Sequence, residues 1–203
     1  MQPVICAPMA IERLTLRRAS APVARTGMGP ERSRRTALGL AGRAVLVAGV
    51  AGGLAAAVNV GDVVVATSVL GPDGASSGCH STPLLARTLR QLGLTVHLGP
   101  ILSQPRVVAG AARRALAATG ALAVDTESFW LAPAGGEPFA VVRVISDTDA
   151  QPLLRPGIVA HGIRALANLR RCVPALDAWA AAIEDLSAAA SVAGRSALPK
   201  EMS

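Results

Sequence analysis

The sequence predicts a three-layer α/β sandwich with a mainly parallel central sheet. Three observations lead to this prediction. Short aliphatic runs alternate with helix-like stretches along the chain, which is typical of α/β proteins. Two of the runs end abruptly in acidic residues, as buried strands do where they open into a ligand crevice. The length of 203 residues suits one domain with a substantial core.

The first third of the chain is predicted to alternate strands with helices. Pro30 is well placed to open the second helix, because proline is favoured at the first helical position. The glycine cluster at 49–53 is expected to end the third strand. The predicted elements are strand Pro3–Cys6, helix Ala10–Arg18, strand Val23–Thr26, helix Glu31–Leu40, strand Ala44–Gly49 and strand Val63–Thr67.

The remainder continues the alternation and closes with two helices. Residues 71–82 are rich in Gly, Ser, Pro and Asp and are predicted to form a mobile loop. We expect a single domain over residues 1–195 and a flexible tail at 196–203. The other predicted elements are helix Pro83–Leu92, extended segment Thr95–Leu102, helix Val107–Ala118, strands around 123–128 and 141–147, helix Ile158–Arg171 and helix Pro174–Ala193.

The charge balance is basic, with 20 Lys and Arg against 13 Asp and Glu and a net charge of +7. Such an excess first raises nucleic-acid binding. However, aromatic residues make up only 2% of the chain, and none is interleaved with the arginines to stack on bases. We therefore expect a solvated basic surface and no nucleic-acid partner.

Cysteine and hydropathy patterns predict a cytoplasmic protein. Cys6, Cys79 and Cys172 are widely separated and lack metal or disulfide spacing, which fits free thiols in a reducing compartment. The N-terminus lacks the basic start and long apolar core of a secretory signal. The most apolar window, 44–60, is shorter than the ~20 residues that span a bilayer.

Metal and dinucleotide sites are not expected. His80, His97 and His161 share no metal-ligand spacing. The glycines of 49–53 do not spell the dinucleotide fingerprint, and no acidic residue follows at the expected distance.

Six segments in order resemble the purine nucleoside phosphorylase and nucleosidase superfamily. Within it, the chain is most similar to the compact hopanoid-associated phosphorylase branch, which is linked to adenosylhopane, and next to methylthioadenosine/adenosylhomocysteine nucleosidases. The resemblance covers residue 4 to about 170. The segments are Pro8-Met9-Ala10-Ile11-Glu12, Gly27-Met28-Gly29, Val47 to Leu54, Val60-Gly61-Asp62-Val63-Val64, Val124-Asp125-Thr126-Glu127-Ser128 and Val141 to Asp147.

The resemblance implies roles for three carboxylates. Asp147, with Ser146 beside it, would hydrogen-bond or protonate N7 of the leaving purine; a helix N-cap or a salt bridge to Arg143 is the structural alternative. Glu127 would accept hydrogen bonds from the ribose hydroxyls, with a solvated glutamate at a helix start as the alternative, and Thr126 stands where methionine is usual. Glu12 would orient the attacking water, although it is also a favourable acid in the first turn of a helix.

Further site residues also follow from the resemblance. Gly52 and Gly53 would let the backbone approach the substrate, and Gly27 and Gly29 would approach a phosphate. Phe129 is considered for its position and not from the resemblance: with Trp130 it lies just beyond Glu127 and would either contribute an apolar wall or pack as a buried pair, whereas the family's purine-stacking aromatic is missing at Leu102-Ser103-Gln104-Pro105. Candidate phosphate-binding arginines are Arg13, Arg25 and Arg32.

The predicted function is cleavage of the N-glycosidic bond of an adenine nucleoside, with adenosylhopane as the preferred substrate in hopanoid biosynthesis. A methylthioadenosine/adenosylhomocysteine nucleosidase is the enzymatic alternative, and a non-catalytic nucleoside-binding module is the alternative of another class. No metal or cofactor is expected, phosphate is a possible co-substrate, and the resemblance implies a homo-oligomer. The C-terminal helices are compatible with transient contact with a membrane surface, but packing on the sheet explains the same pattern.

Overall fold

A computed structural model describes residues 2–150 and 158–196. The strands form one mixed eight-stranded sheet. Most strands are short aliphatic runs of Val, Ala, Leu and Ile, which suit buried strands. They are β1 (Pro3–Ala7), β2 (Val23–Arg25), β3 (Ala44–Gly53), β4 (Val63–Leu70), β5 (Ser76–Gly78), β6 (Val96–Ser103), β7 (Ala123–Asp125) and β8 (Phe139–Asp147).

The helices occupy the connections between strands and the C-terminal part of the chain. Proline lies in the first turn of α2 and of α3, where its missing N–H costs no helical hydrogen bond. The helices are α1 (Ala10–Thr15), α2 (Pro30–Leu38), α3 (Thr82–Gln91), α4 (Gly110–Leu116), α5 (Ser128–Leu131), α6 (Ile158–Arg171) and α7 (Val173–Ser196), with a 3₁₀ turn at Ala117–Thr119.

The central strands close on themselves. The main path through the sheet is β2-β1-β3-β7-β6-β4-β5, and β8 bridges β3 and β4. β8 runs parallel to β3 and antiparallel to β4, so the circuit β3, β8, β4, β6 and β7 is continuous. This closure brings the ends of β3 and β8 next to the start of β7.

Two apolar clusters pack against the two faces of this curved sheet. One includes Leu46 and Val142 of the sheet together with Leu169 of α6 and Trp179 of α7. The other includes Val47 and Val141 together with Leu131 of α5. The C-terminal helices are therefore part of the core. Among the described helices, none combines the length and hydropathy needed to cross a bilayer.

The structure confirms the predicted α/β fold with a mixed central sheet and corrects several details. The glycine cluster does not end the third strand, because β3 continues to Gly53 while β8 pairs along it and β7 joins at its end. Backbone pairing needs no side chain, so glycines are retained there. The predicted loop at 71–82 contains the short strand β5. The first and fourth helices are shorter than predicted, and the proposed flexible tail falls almost entirely outside the described residues.

Candidate active site

A cavity of about 200 Å³ lies where β3 and β8 end and the chain leaves β7. Glu12, Glu127 and Asp147 all line it, so the three carboxylates that the sequence singled out do meet in one place. Each is buried, with relative exposure of 1% for Glu12, 4% for Glu127 and 3% for Asp147. The other lining residues are Pro8, Met9, Met28, Val50, Ala51, Gly52, Arg106, Val107, Val108, Arg113, Val124, Asp125, Thr126 and Ser146.

Arg143 is the centre of the polar network beneath this cavity. It lies in the middle of β8 and is fully buried. Its Nε donates to Asp125 Oδ2 at 2.9 Å, and its Nη2 lies 2.7 Å from the same oxygen. Nη2 also donates to Glu127 Oε2 at 3.2 Å. A buried guanidinium requires such partners, because an unpaired charge in the interior costs several kcal/mol, on the order of 3–5.

Asp125 at the end of β7 holds Arg143 in place. It also accepts from Ser103 Oγ at 2.5 Å, from Ser128 Oγ and from the backbone N–H of Glu127 at 3.2 Å. Burial opposes ionisation, but Arg143 and these donors outweigh it, so the pKa of Asp125 is lowered. Asp125, Glu127 and Glu12 raise the pKa of Arg143 despite its burial. This pair is therefore ionised.

Glu127 is held by donors on both oxygens. Its Oε1 accepts from the Thr126 hydroxyl and from the backbone N–H of Gly29 at 3.4 Å, while Oε2 faces Arg143. Thr126, where the resemblance expects methionine, thus contributes a hydrogen bond to this carboxylate. Burial raises the pKa of Glu127, Arg143 offsets part of that effect, and the nearby Asp125 adds to it.

Glu12 reaches the cavity from the first turn of α1. Its Oε2 accepts from the backbone N–H of Met9 at 2.6 Å and its Oε1 from that of Val50 at 2.7 Å. Burial raises the pKa of Glu12, with Arg143 opposing. Gly49 permits this arrangement: a Cβ at that position would lie 2.7 Å from Arg143 Nη1 and in contact with Glu12 Oε1.

Asp147, the last residue of β8, pairs with Arg113 of α4 and not with Arg143. Arg113 Nη1 donates to Asp147 Oδ2, and Nη2 donates to the Asp147 carbonyl at 2.8 Å. Ser146 Oγ donates to Asp147 Oδ1 at 2.8 Å. The predicted alternative of a salt bridge between Asp147 and Arg143 is therefore wrong, because Asp147 pairs with Arg113. Each of its carboxylate oxygens accepts a hydrogen bond.

The remaining predicted substrate residues divide into two groups. Gly52, Thr126 and Ser146 line the cavity. Gly53 is not among the lining residues, but its carbonyl accepts hydrogen bonds from Arg113, which lines the cavity. Phe129 is placed elsewhere: its ring packs edge-on against Trp130 at 5.9 Å and against Gly71, as in the buried-pair alternative.

The residues predicted to bind phosphate do not come together at the cavity. Gly29 directs its N–H to Glu127, and Gly27 packs under the side chain of Arg32. Arg13 lies on the outer side of α1, where its Nε is 3.4 Å from the Val23 carbonyl. Arg25 and Arg32 are exposed. The arginines that do line the cavity are Arg106, which is exposed, and Arg113, and Arg143 lies at its floor.

Sequence reasoning missed Arg113, Asp125 and Arg143 as site residues. Arg143 carried a usable signal, because a single arginine within the aliphatic run of β8 must find a buried carboxylate. That carboxylate is Asp125, which lies two residues before Glu127 in the Val124 to Ser128 motif. Within residues 2–150 and 158–196, no group of three or more His, Cys, Asp and Glu side chains is placed to hold a metal ion.

Residues 11–176 match the sequence model of the phosphorylase superfamily. The chain belongs to the phosphorylase superfamily. No curated protein sequence matches it significantly. The three buried carboxylates lie within the matched residues. Of the residues that line the cavity, Pro8 and Met9 precede the match and the others lie within it.

Solved structures share this superfamily fold. The 5′-methylthioadenosine/S-adenosylhomocysteine nucleosidase of Neisseria meningitidis, in complex with methylthio-immucillin-A, is 19% identical with a TM-score of 0.74 over 88% of this chain and 100% of the other. The corresponding enzyme of Streptococcus pneumoniae is 24% identical, with a TM-score of 0.70 over 87% of this chain and 100% of the other. Futalosine hydrolase of Helicobacter pylori is 19% identical, with a TM-score of 0.70 over 86% and 95%. At these identities the likeness establishes the fold.

Proposed function

We propose that the protein hydrolyses the N-glycosidic bond of a purine nucleoside. The observation that carries this proposal is the convergence of Glu12, Glu127 and Asp147 on one cavity, above the buried pair of Asp125 and Arg143. Cleavage of this bond develops positive charge on the ribose and negative charge on the departing purine. Carboxylates near the sugar and a proton donor at the base meet both requirements.

The reaction assigns one step to each side chain. Glu12 accepts a proton from water as the water oxygen bonds to C1′. Asp147 must carry a proton for the next step, in which the C1′–N9 bond breaks, its electron pair passes to the purine, and Asp147 transfers that proton to N7. Glu127 accepts hydrogen bonds from the ribose hydroxyls through the oxygen that faces Arg143. The products are the free purine and the free sugar.

Water is favoured over phosphate by the charges around the cavity floor. Glu12, Asp125 and Glu127 surround a single guanidinium at the floor, that of Arg143, while Arg113 is paired with Asp147 and Arg106 is exposed, so negative charge is in excess beside Glu12 when the carboxylates are ionised. A phosphate dianion placed beside Glu12 would be repelled. The space above Gly49 is filled by Glu12 and Arg143, so a phosphate could not occupy it.

The apolar part of the cavity supports a substrate with an apolar 5′ substituent. Met9, Met28, Val50, Val107 and Val108 all contribute to its lining. The two substrates expected from the resemblance, adenosylhopane and methylthioadenosine, share this property. Membership of the hopanoid-associated branch, with adenosylhopane as substrate, is a proposal on that ground, and methylthioadenosine is its alternative.

A nucleoside-binding module is the second candidate, and one observation favours it. Asp147 is engaged by Arg113 and Ser146 instead of lying free to donate a proton. A protein that only binds the nucleoside would keep its carboxylates as hydrogen-bond acceptors. Binding without base release would identify this function.

The test is release of free base by the purified chain from adenosylhopane, methylthioadenosine and inosine, each with and without phosphate. We expect release without phosphate from at least one substrate. Glu12→Gln and Asp147→Asn should lower kcat/KM by about 10²–10⁴-fold, because each removes a proton-transfer group. Glu31→Gln and Asp149→Asn, which alter exposed acids, serve as matched controls. Strict dependence on phosphate would replace hydrolysis with phosphorolysis.

A further inference from the structure

The base-facing end of the cavity contains a fixed arginine that the proposed reaction does not use. Arg113 comes from α4, lines the cavity and has a side chain only 5% exposed. Its Nε and Nη2 donate to the Gly53 carbonyl at 3.2 and 2.7 Å, and Nη2 also donates to the Asp147 carbonyl at 2.8 Å. The guanidinium is thus tied to the ends of β3 and β8.

The backbone is shaped to receive this side chain. A Cβ at Gly52 would lie 2.6 Å from Arg113 Nη2, so the guanidinium packs directly on the glycine. Four hydrogen bonds to backbone and Asp147 use four of its N–H groups. The second N–H of Nη1 has no partner among residues 2–150 and 158–196. It belongs to a positively charged guanidinium that lines the cavity and is held beside Asp147 by the other four N–H groups.

This donor distinguishes the two classes of purine at C6. Both classes present N7 as an acceptor, but a 6-oxopurine adds an acceptor oxygen, whereas adenine adds an amino donor. Guanidinium has donors only, so its remaining N–H matches the acceptor oxygen at C6 of a 6-oxopurine, while N7 faces Asp147 as in the proposed reaction. An adenine amino group would face a donor in the same place, so the hydrogen bond from Arg113 would have no acceptor on the base at C6.

We propose that Arg113 is a specificity-determining residue that selects a 6-oxopurine nucleoside over its adenine counterpart. This inference rests on the proposed cleavage of a purine nucleoside. It replaces the adenine base expected from the resemblance with hypoxanthine or guanine, and it leaves the apolar 5′ substituent unchanged.

Matched substrate pairs that differ only at C6 test the proposal on the wild-type chain. Inosine is compared with adenosine, and 5′-methylthioinosine with 5′-methylthioadenosine, with base release followed chromatographically. We expect kcat/KM to be about tenfold or more higher for the 6-oxo member of each pair, the scale of one good base-edge recognition. Equal values, or a preference for the adenine member, would overturn the assignment.

Variants locate the preference in Arg113. Arg113→Met should bring the ratio of kcat/KM within each pair close to one, and Arg113→Lys, which keeps a charged donor, should retain part of it. Arg114→Met is the matched control, because the neighbouring Arg114 is exposed and pairs with exposed Asp149; its ratio should equal that of the wild type. A ratio unchanged in a folded Arg113→Met protein would refute the role of this residue.

Calorimetric binding of the free bases separates this inference from the proposed function. If neither pair is cleaved, the proposed hydrolysis fails, yet tighter binding of hypoxanthine than of adenine by about tenfold would still support the role of Arg113. Equal binding, tighter binding of adenine, or no binding of either base would overturn it.

Discussion

The surroundings of Glu12 in the site shift its pKa. Burial raises the pKa of Glu12. Arg143 and the N–H groups of Val50 and Met9 lower it by less than burial raises it. Glu127 is displaced in the same direction by burial, with Asp125 adding to the effect. Both carboxyls therefore take up protons at a higher pH than exposed glutamates do.

A pH profile follows from these shifts. Glu12 must be ionised to accept a proton from water, and Glu127 must be ionised to accept from the ribose hydroxyls. We expect kcat/KM to fall on the acid side at a pH clearly above ~4.3, the ordinary glutamate value. The two groups share Arg143, so the limb reports both together. The measurement is kcat/KM for the best substrate between pH 4 and 8.

The variant Glu12→Gln separates the contributions. Its residual activity should keep only the part of the acid limb that Glu127 supplies, whereas Glu31→Gln in exposed α2 should reproduce the wild-type profile. A profile that is flat down to the ordinary glutamate range would contradict the burial argument.

At the scale of an element, β3 does more than carry apolar side chains. Its register places Gly49 opposite Arg143 of β8, and its last residues contact Arg113. Sequence pattern placed the strand and the glycine cluster, but it treated the glycines as a turn. Only the pairing partners show that the missing side chains make room for Glu12 and two arginines.

This also defines what sequence could predict of the site. Glu127 and Asp147 were predicted because each follows an aliphatic run, which is a local signal. The partnership of Asp147 with Arg113 has no such signal, because the two residues are 34 positions apart and are brought together by the tertiary fold, and Arg113 stands beside a similar Arg114. Long-range pairing of this kind is set by tertiary packing.

Gly49→Ala tests the role of β3. The added Cβ would lie 2.7 Å from Arg143 Nη1, so Arg143 and Glu12 must both move. We expect a loss of about 10²-fold in kcat/KM, the scale of a misplacement of ~1 Å in a reacting group. Gly78→Ala in β5 is the matched control, since nothing lies within 4 Å of its Cβ. Equal activities of the two variants would show that the site tolerates the displacement.

At the scale of the whole molecule, the two C-terminal helices complete the core beneath the closed sheet. α7 contacts α3, α6 and β1, and α6 contacts β8 and β3. The fully buried Trp179 of α7 lies in the same apolar cluster as Leu46, Val142 and Leu169. The apolar face of α7 is therefore occupied by the protein's own core. Of the two explanations that the sequence allowed for these helices, packing on the sheet accounts for the described residues.

Trp179 provides the corresponding stability measurement. Trp179→Ala should lower the free energy of unfolding by about 3–5 kcal/mol, because it leaves a large cavity between α7 and the sheet. Trp179→Phe should cost less: it keeps most of the ring volume and removes an indole N–H that is buried without a hydrogen-bond partner among the described residues. Leu186→Ala, at a position 65% exposed on the same helix, should stay within about 0.5 kcal/mol of wild type. Urea unfolding of the four proteins measures these differences. If Trp179→Ala unfolds like Leu186→Ala, α7 does not contribute to the core, and its apolar face becomes available for another partner.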